Sequence, residues 1–263
     1  MVLNRRRWAL LAPAVFFGLG AAAPAKVIAR IDLSKPFHLP AGASFTATQG
    51  PDVEDPNGDE SDRVPGKIRL CIRAGRGSCA PNLDGLLKVK GNDDYWSEVH
   101  DLQIADLVYP RGAAAPPLLY LQVGSFSGPN GNQLRAAEVL AYRPRPRRFE
   151  SIFRELFGLN NNEEARYVDS GPLKDAMITA EPTENAPFGY WIAVHGLTPA
   201  YRYKQVLRYR SATRYGDGNP LAVIDSEMPN ILRRLGLWKA GQPLPLPTGK
   251  CPHPRLVKGA LWC

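Results

Sequence analysis

The chain has 263 residues, with 33 Lys and Arg against 25 Asp and Glu, a formal charge of +8, and 25 Pro, 24 Gly and 4 Cys. A hydrophobic content of 44% with 22% charged residues is ordinary globular usage and excludes general disorder. The proline content, about twice the usual ~5%, excludes a helical bundle, because each internal proline removes a donor and clashes with the preceding turn.

The first 25 residues read as a secretory signal peptide. Arg5, Arg6 and Arg7 form a positive start, Trp8 to Ala22 is uncharged and mostly apolar, and Ala23-Pro24-Ala25 offers a cleavage point before Lys26. The apolar stretch is short for a membrane span of ~20 residues. The residues after the arginines fit a twin-arginine signal poorly, so general export to a periplasmic or secreted location is expected. Removing this segment leaves 238 residues, residues 26–263, at +5 and without a further apolar run of membrane-spanning length. This body is expected to be a single β-rich domain.

In chain order, Lys26 to Ile31 reads as an extended lead. Residues 41–66 read as a loop region whose part from 51 onward carries six acids, Asp52, Glu54, Asp55, Asp59, Glu60 and Asp62. Strands are expected at Ile68–Ile72, Leu102–Val108 and Leu118–Val123. Gln133 to Tyr142 contains helix formers, but it follows the turn Gly128-Pro129-Asn130-Gly131 and is read as pairing back on 118–123 as a hairpin. Glu150 to Phe157 is expected to be a short helix, with Ile152, Phe153, Leu156 and Phe157 on one stripe and Gly158 as its stop. Ala176–Ala180, Tyr190–His195 and Pro199–Arg210 read as strands. A second helix is expected from Asp225 or Ser226 as N-cap to a stop at Gly236. Residues 241–263 form a proline-rich tail, with Pro243–Pro247 extended as a strap over the body.

Residues 118–153 and 176–207 echo each other: strand, turn-rich loop, strand, aromatic-basic strand. The expected fold is therefore mainly β with two short helices, its antiparallel meanders and hairpins forming a sandwich or a partial, propeller-like body; an α+β arrangement is the alternative. The aspartate-rich calcium pattern of some bacterial propeller blades is absent.

The even count of cysteines suits an oxidising compartment. Four cysteines allow three pairings, and spacing favours the two local ones, Cys71 with Cys79 and Cys251 with Cys263. Each would contribute ~2–3 kcal/mol by restricting the unfolded chain. Zinc at Cys251 and His253 is a weak alternative, because the usual paired ligand spacing is missing.

Motifs for catalysis are scarce. Gly124-Ser125-Phe126-Ser127-Gly128 has Phe where a nucleophile elbow needs Ser. There is no phosphate-binding Gly-Lys-Ser/Thr loop and no paired His on a helix. His100, in a segment with Asp94, Glu98 and Asp101, is the best candidate for an acid–base group, and Tyr95-Trp96 or Tyr190-Trp191 could stack on a sugar. His195, on a half-buried strand, reads as structural. Asp55, Asn57, Asp59 and Ser61 alternate like calcium ligands, but Glu60 and Gly66 stand where the EF-hand pattern needs Gly and Glu. No metal or cofactor is expected.

Charge asymmetry stands above this background. From Asn185 to Cys263 the chain carries 11 basic and 3 acidic residues, while the preceding body is net acidic. A strand through 201–210 would place Arg202, Lys204, Arg208 and Arg210 in one row, continued by Arg214, with Tyr201, Tyr203, Leu207 and Tyr209 turned to the core. A row of cations repels itself unless it meets solvent or an anion. Export argues against nucleic acid as partner. The expectation is a non-catalytic binding protein for an anionic envelope polymer or lipid, or an acidic protein. The alternatives are an envelope hydrolase built on His100 and a purely structural envelope protein.

Overall fold

The computed structural model describes residues 24–263 except 56–57, 59–61, 75–76, 90–96, 111–114, 129, 159, 185–187, 248 and 250. The leader segment, Asp94 and the Tyr95-Trp96 pair thus lie outside the described residues.

The molecule is built from antiparallel sheets in sequence order. The N-terminal sheet consists of β1 (Lys26–Asp32), β2 (Ser44–Gln49) and β5 (Ile68–Arg73), in the order β1-β2-β5. A small hairpin, β3 (Val53–Glu54) with β4 (Arg63–Val64), lies between β2 and β5. The expected loop over 41–66 is corrected by β2: Phe45 and Ala47 alternate into the core there, and the pairing is fixed on both sides by β1 and β5. The middle sheet is the meander β6 (Asp101–Val108), β7 (Leu118–Gly124), β8 (Leu134–Arg143) and β9 (Arg148–Gly158). The C-terminal sheet repeats that order with β10 (Glu164–Tyr167), β11 (Met177–Pro182), β12 (Gly189–Leu197) and β13 (Tyr203–Arg214). One α-helix, α1 (Val223–Arg234), and a hairpin of β14 (Arg255–Val257) with β15 (Ala260–Trp262) complete the chain. Among the described residues the sheets form no closed barrel.

The echo between 118–153 and 176–207 is thus the repetition of a four-stranded meander, and the hairpin of β7 and β8 forms as expected. The middle sheet is covered on both faces. Leu119, Leu121, Val123, Ala136 and Leu140 pack toward the N-terminal sheet. Leu118, Tyr120, Ala137, Val139 and Ala141 pack toward the C-terminal sheet. That two-sided burial explains the unbroken apolar runs of β7 and β8. It also corrects the helix expected over Glu150–Phe157. Apolar residues at 152, 153, 156 and 157 serve a helix stripe or a strand buried on both faces. Here β8 is already in place as a pairing partner, and a bulge at Ile152 lets β9 supply both cores.

The far face of the C-terminal sheet carries α1. Ile178, Tyr190, Ile192, Val194 and Tyr209 pack on Val223, Ile224, Ile231 and Leu232. The helix starts two residues before the expected cap, after Ala222, whose side chain makes no capping bond. Its first turn is held instead from β10: Glu164 Oε1 accepts the Ile224 N–H at 3.2 Å, and Asp225 pairs with Arg166. The stop at Gly236 forms as expected, with φ +72° there and the Leu237 N–H bonded to the Leu232 carbonyl at 2.8 Å. Beyond it the strap is tied down where Trp238 Nε1 donates to the Pro243 carbonyl at 2.9 Å and Leu244 joins the core.

Both local disulfides are present, Cys71–Cys79 and Cys251–Cys263, and no cysteine is free. Cys251 is therefore unavailable to zinc. No helix among the described residues is long and apolar enough to cross a membrane.

A buried carboxylate fastens α1 to the sheet. Glu227, fully buried, accepts hydrogen bonds from Tyr209 Oη (2.9 Å), the Ala212 and Thr213 N–H groups (2.8 and 2.7 Å), Thr213 Oγ1 (2.8 Å) and Asn230 Nδ2 (3.0 Å). Removing it strands several buried donors at once, each costing ~1–3 kcal/mol. Glu227→Ala is therefore expected to destabilise the fold by about 3–5 kcal/mol, read as a lowered urea midpoint.

Glu138 is the opposite case. It is 2% exposed between Ala136 and Leu140, its Oε2 has no hydrogen-bond partner among the described residues, and burial pushes its carboxyl up to about 7. The native chain then keeps this proton to higher pH, while the unfolded chain releases it near the ordinary glutamate value of 4.5. Stability from this group is lost as pH rises through that interval. Glu138→Gln is expected to melt higher than wild type at pH 8 and at the same temperature at pH 4.5.

Candidate functional site

The basic strand does not present one row. β13 pairs with β12 with a register shift between Val194 and His195, whose partners are Leu207 and Gln205, so Val206 is an extra residue in a bulge. Parity changes across it. Before the bulge, Tyr203 points into the core shared with the middle sheet, while Lys204 lies opposite Gly196 and shares the helix-side face with Val194. After it, Leu207 and Tyr209 point to α1, while Arg208 and Arg210 lie opposite Ala193 and Trp191 on the face turned toward the middle sheet. Lys204 is thus separated from Arg208 and Arg210 by the sheet itself.

Arg202 is occupied. Its Nη2 lies 3.3 Å from Glu150 Oε2, and Arg143 and Arg148 share the same carboxylate, whose pKa falls through the bonds from Arg148 and then Arg143. Arg143 also donates to the Ala200 and Tyr201 carbonyls. This group clamps the β8–β9 end of the middle sheet to the β12–β13 turn.

Arg208 and Arg210 are arranged differently. Both guanidinium carbons lie over the Trp191 ring, at 4.5 and 5.4 Å from its centroid. Neither makes an ion pair with a carboxylate among the described residues. Among the described residues of the acidic hairpin, Glu54 pairs internally with Arg63. A guanidinium lying on an indole is held by cation–π attraction while its N–H edges remain available for bidentate contact with an oxyanion.

This Trp191–Arg208–Arg210 shelf lies beside β9, an edge strand of the middle sheet that packs against the C-terminal sheet. Phe153 of β9 meets His195 and Tyr203 at 5.2 and 5.4 Å, covering one end of β12 and β13 and leaving Arg208 and Arg210 exposed beyond it. Along the boundary run three carboxylates. Glu181 lies directly across from Trp191. Burial, then the charge of Glu181, pushes Glu155 up to about 7, and burial opposed by the Gly158 N–H raises Glu163. Among the described residues no group of three or more His, Cys, Asp or Glu is placed to hold a metal ion. Of the proposed calcium ligands, Asn57, Asp59 and Ser61 lie outside the described residues.

Of the hydrolytic candidates, His100 and Glu98 are neighbours, but each is committed elsewhere. His100 Nε2 is 3.8 Å from Glu98 Oε2, but Lys67 takes Glu98 at 2.6 Å and lowers its pKa through that bond. The His100 side chain is 6% exposed, stacked on Phe126 at 3.5 Å, with Nδ1 held 3.2 Å from the Pro65 carbonyl. Burial lowers its pKa, opposed by the Pro65 carbonyl and then by Glu98. Asp101 turns to Gln103 and Gln133. His195 sits against Phe153, and burial lowers its pKa too. Tyr190 is fully buried, its hydroxyl donating to the Asn161 carbonyl, so Trp191 alone of that pair faces outward.

A groove of about 310 Å³ lies between α1 and the strap, lined by Asp225, Met228, Leu232 and Leu246. Its arginine, Arg166, is already saturated by Glu164 and Asp225. Comparison of the chain with protein-family models, curated proteins and solved structures returns no match.

The role of Trp191 as a platform was hidden in the sequence, because it depends on β12–β13 register. Glu181 was hidden for the same reason. The Glu181–Glu155 coupling gives a direct check. Glu181→Gln should bring the Glu155 midpoint down from about 7, read from the carboxyl carbon shift against pH; an unchanged midpoint would mean burial alone sets it.

Proposed function

We propose that this is an exported, non-catalytic binding protein that recognises an anionic envelope component through Arg208 and Arg210 on Trp191. The observation that carries the reading is the pair of guanidinium groups over one indole with no carboxylate partner among the described residues. Two cations held side by side repel each other, and an arriving oxyanion relieves that repulsion. The pre-stacked side chains also lose less rotamer freedom on binding than free arginines would. Export is supported by the N-terminal segment and by two disulfides with no free thiol. Arg202 contributes by holding the turn before β13, and Lys204 faces away from the shelf.

The test is retention of the chain beginning at Lys26 on immobilised acidic polysaccharide, co-sedimentation with phosphatidylglycerol vesicles, and recovery of ligands from envelope extract. Arg208→Glu with Arg210→Glu is expected to reduce the productive interaction at least tenfold at physiological salt. Equal recovery by wild type and variant in all three assays, at low as well as physiological salt, would sink the reading.

A further inference from the structure

The end of β13 faces the C-terminal hairpin across a cavity of about 260 Å³. Arg214 and Asp217 line it together with Lys258 and Trp262 of the hairpin. Neither cation has a carboxylate partner among the described residues. Asp217 is committed to backbone, its Oδ2 accepting the Arg214 N–H at 3.0 Å and its Oδ1 the Asn219 N–H at 2.9 Å. The cavity therefore carries an excess of positive charge beside an indole.

Lys258 is held there at a conformational cost. β14 and β15 are joined by Lys258 and Gly259 alone, both at positive φ, +53° and +88°. A two-residue turn of that kind favours Asn-Gly or Asp-Gly, and a lysine in the left-handed region is strained. The turn has no freedom to relax. A Cβ on Gly259 would come within 2.7 Å of Asn230 Oδ1, and Asn230 is fixed by Glu227 and by Arg233. The Leu261 carbonyl takes the Asn219 side-chain amide at 2.8 Å, and the Cys251–Cys263 disulfide closes the hairpin's ends. A strained lysine on a rigid mount, lining a cavity with an arginine that has no carboxylate partner among the described residues, is the pattern of a built binding site.

We propose that this cavity is a second ligand site, for a compact oxyanion, phosphate or carboxylate, carried on a small apolar group. Arg214 grips two of its oxygens, Lys258 supplies the second positive charge, and Trp262 meets the apolar part. The volume suits a molecule the size of phenyl phosphate rather than a polymer segment. The site rests on a cavity and a hairpin that the Trp191 shelf does not include.

The test is calorimetric titration of the protein with phenyl phosphate, benzoate and inorganic phosphate at low salt. Saturable binding of an aromatic oxyanion is expected, tighter than inorganic phosphate. Lys258→Asn separates binding from folding, because it removes the cation while supplying the residue the turn prefers. It is expected to weaken binding at least tenfold with an unchanged or raised Tm. Arg214→Gln should weaken binding by a similar factor, and Arg208→Glu with Arg210→Glu should leave it unchanged. Which aromatic probe binds more tightly assigns the oxyanion. Absence of saturable binding with all three probes, or equal affinity in wild type and both single variants, overturns the proposal.

Discussion

The rest of the fold depends on the middle sheet being dry on both faces. A sheet with one wet face tolerates polar residues at every second position, but β7 and β8 do not have that latitude. Leu118 to Val123 and Ala136 to Ala141 must satisfy two cores at once, and Glu138 is the one charged residue of that buried stretch, retained by taking up a proton. Once this layer is fixed, its neighbours follow. The N-terminal sheet packs on the odd-numbered side chains of β7, the C-terminal sheet on the even ones, and α1 closes the open face of the C-terminal sheet through the Glu227 network. The layers also decide where function can sit, since the faces left open are those that no neighbouring layer reaches.

Local chemistry was legible in the sequence, and pairing was not. The cysteine spacings led to the right disulfides because each bridge closes within one short loop. The turn at 128–131 and the apolar runs beside it identified a hairpin, and repetition of that order located both meanders. Glu150–Phe157 was misread because its apolar spacing fits a helix stripe and a two-faced strand equally well; only knowledge of β8 decides between them. The α1 start was misplaced for a related reason. Its first-turn partner is Glu164, some sixty positions away in the chain, so no local capping residue was needed.

The binding candidates show the same limit at finer scale. Alternation from Arg202 to Arg210 implied one cationic row, and a single unpaired residue, Val206, redirects everything after it. Arg202 is claimed by Glu150, Lys204 is turned away, and Arg208 and Arg210 meet an indole from the adjacent strand. Arg214, after a further register shift, opens on a separate cavity. Composition marked this third of the chain as basic, but register divides the charge into a clamp, a shelf and a pocket.

The order of the layers has a consequence for assembly. The buried residues of the three cores span 33–149, 118–177 and 173–238 in turn, so each layer touches mainly the layers next to it in the chain. Each disulfide likewise joins cysteines within a single layer. A chain of this kind need not wait for its C-terminus before early contacts become useful, because the first core is complete within the residues up to 156. Delivered N-terminus first, it can settle layer upon layer, with the helix and the clipped hairpin arriving last to cover the final open face. The stack does not close into a ring, and so no step requires the two ends of the chain to find each other.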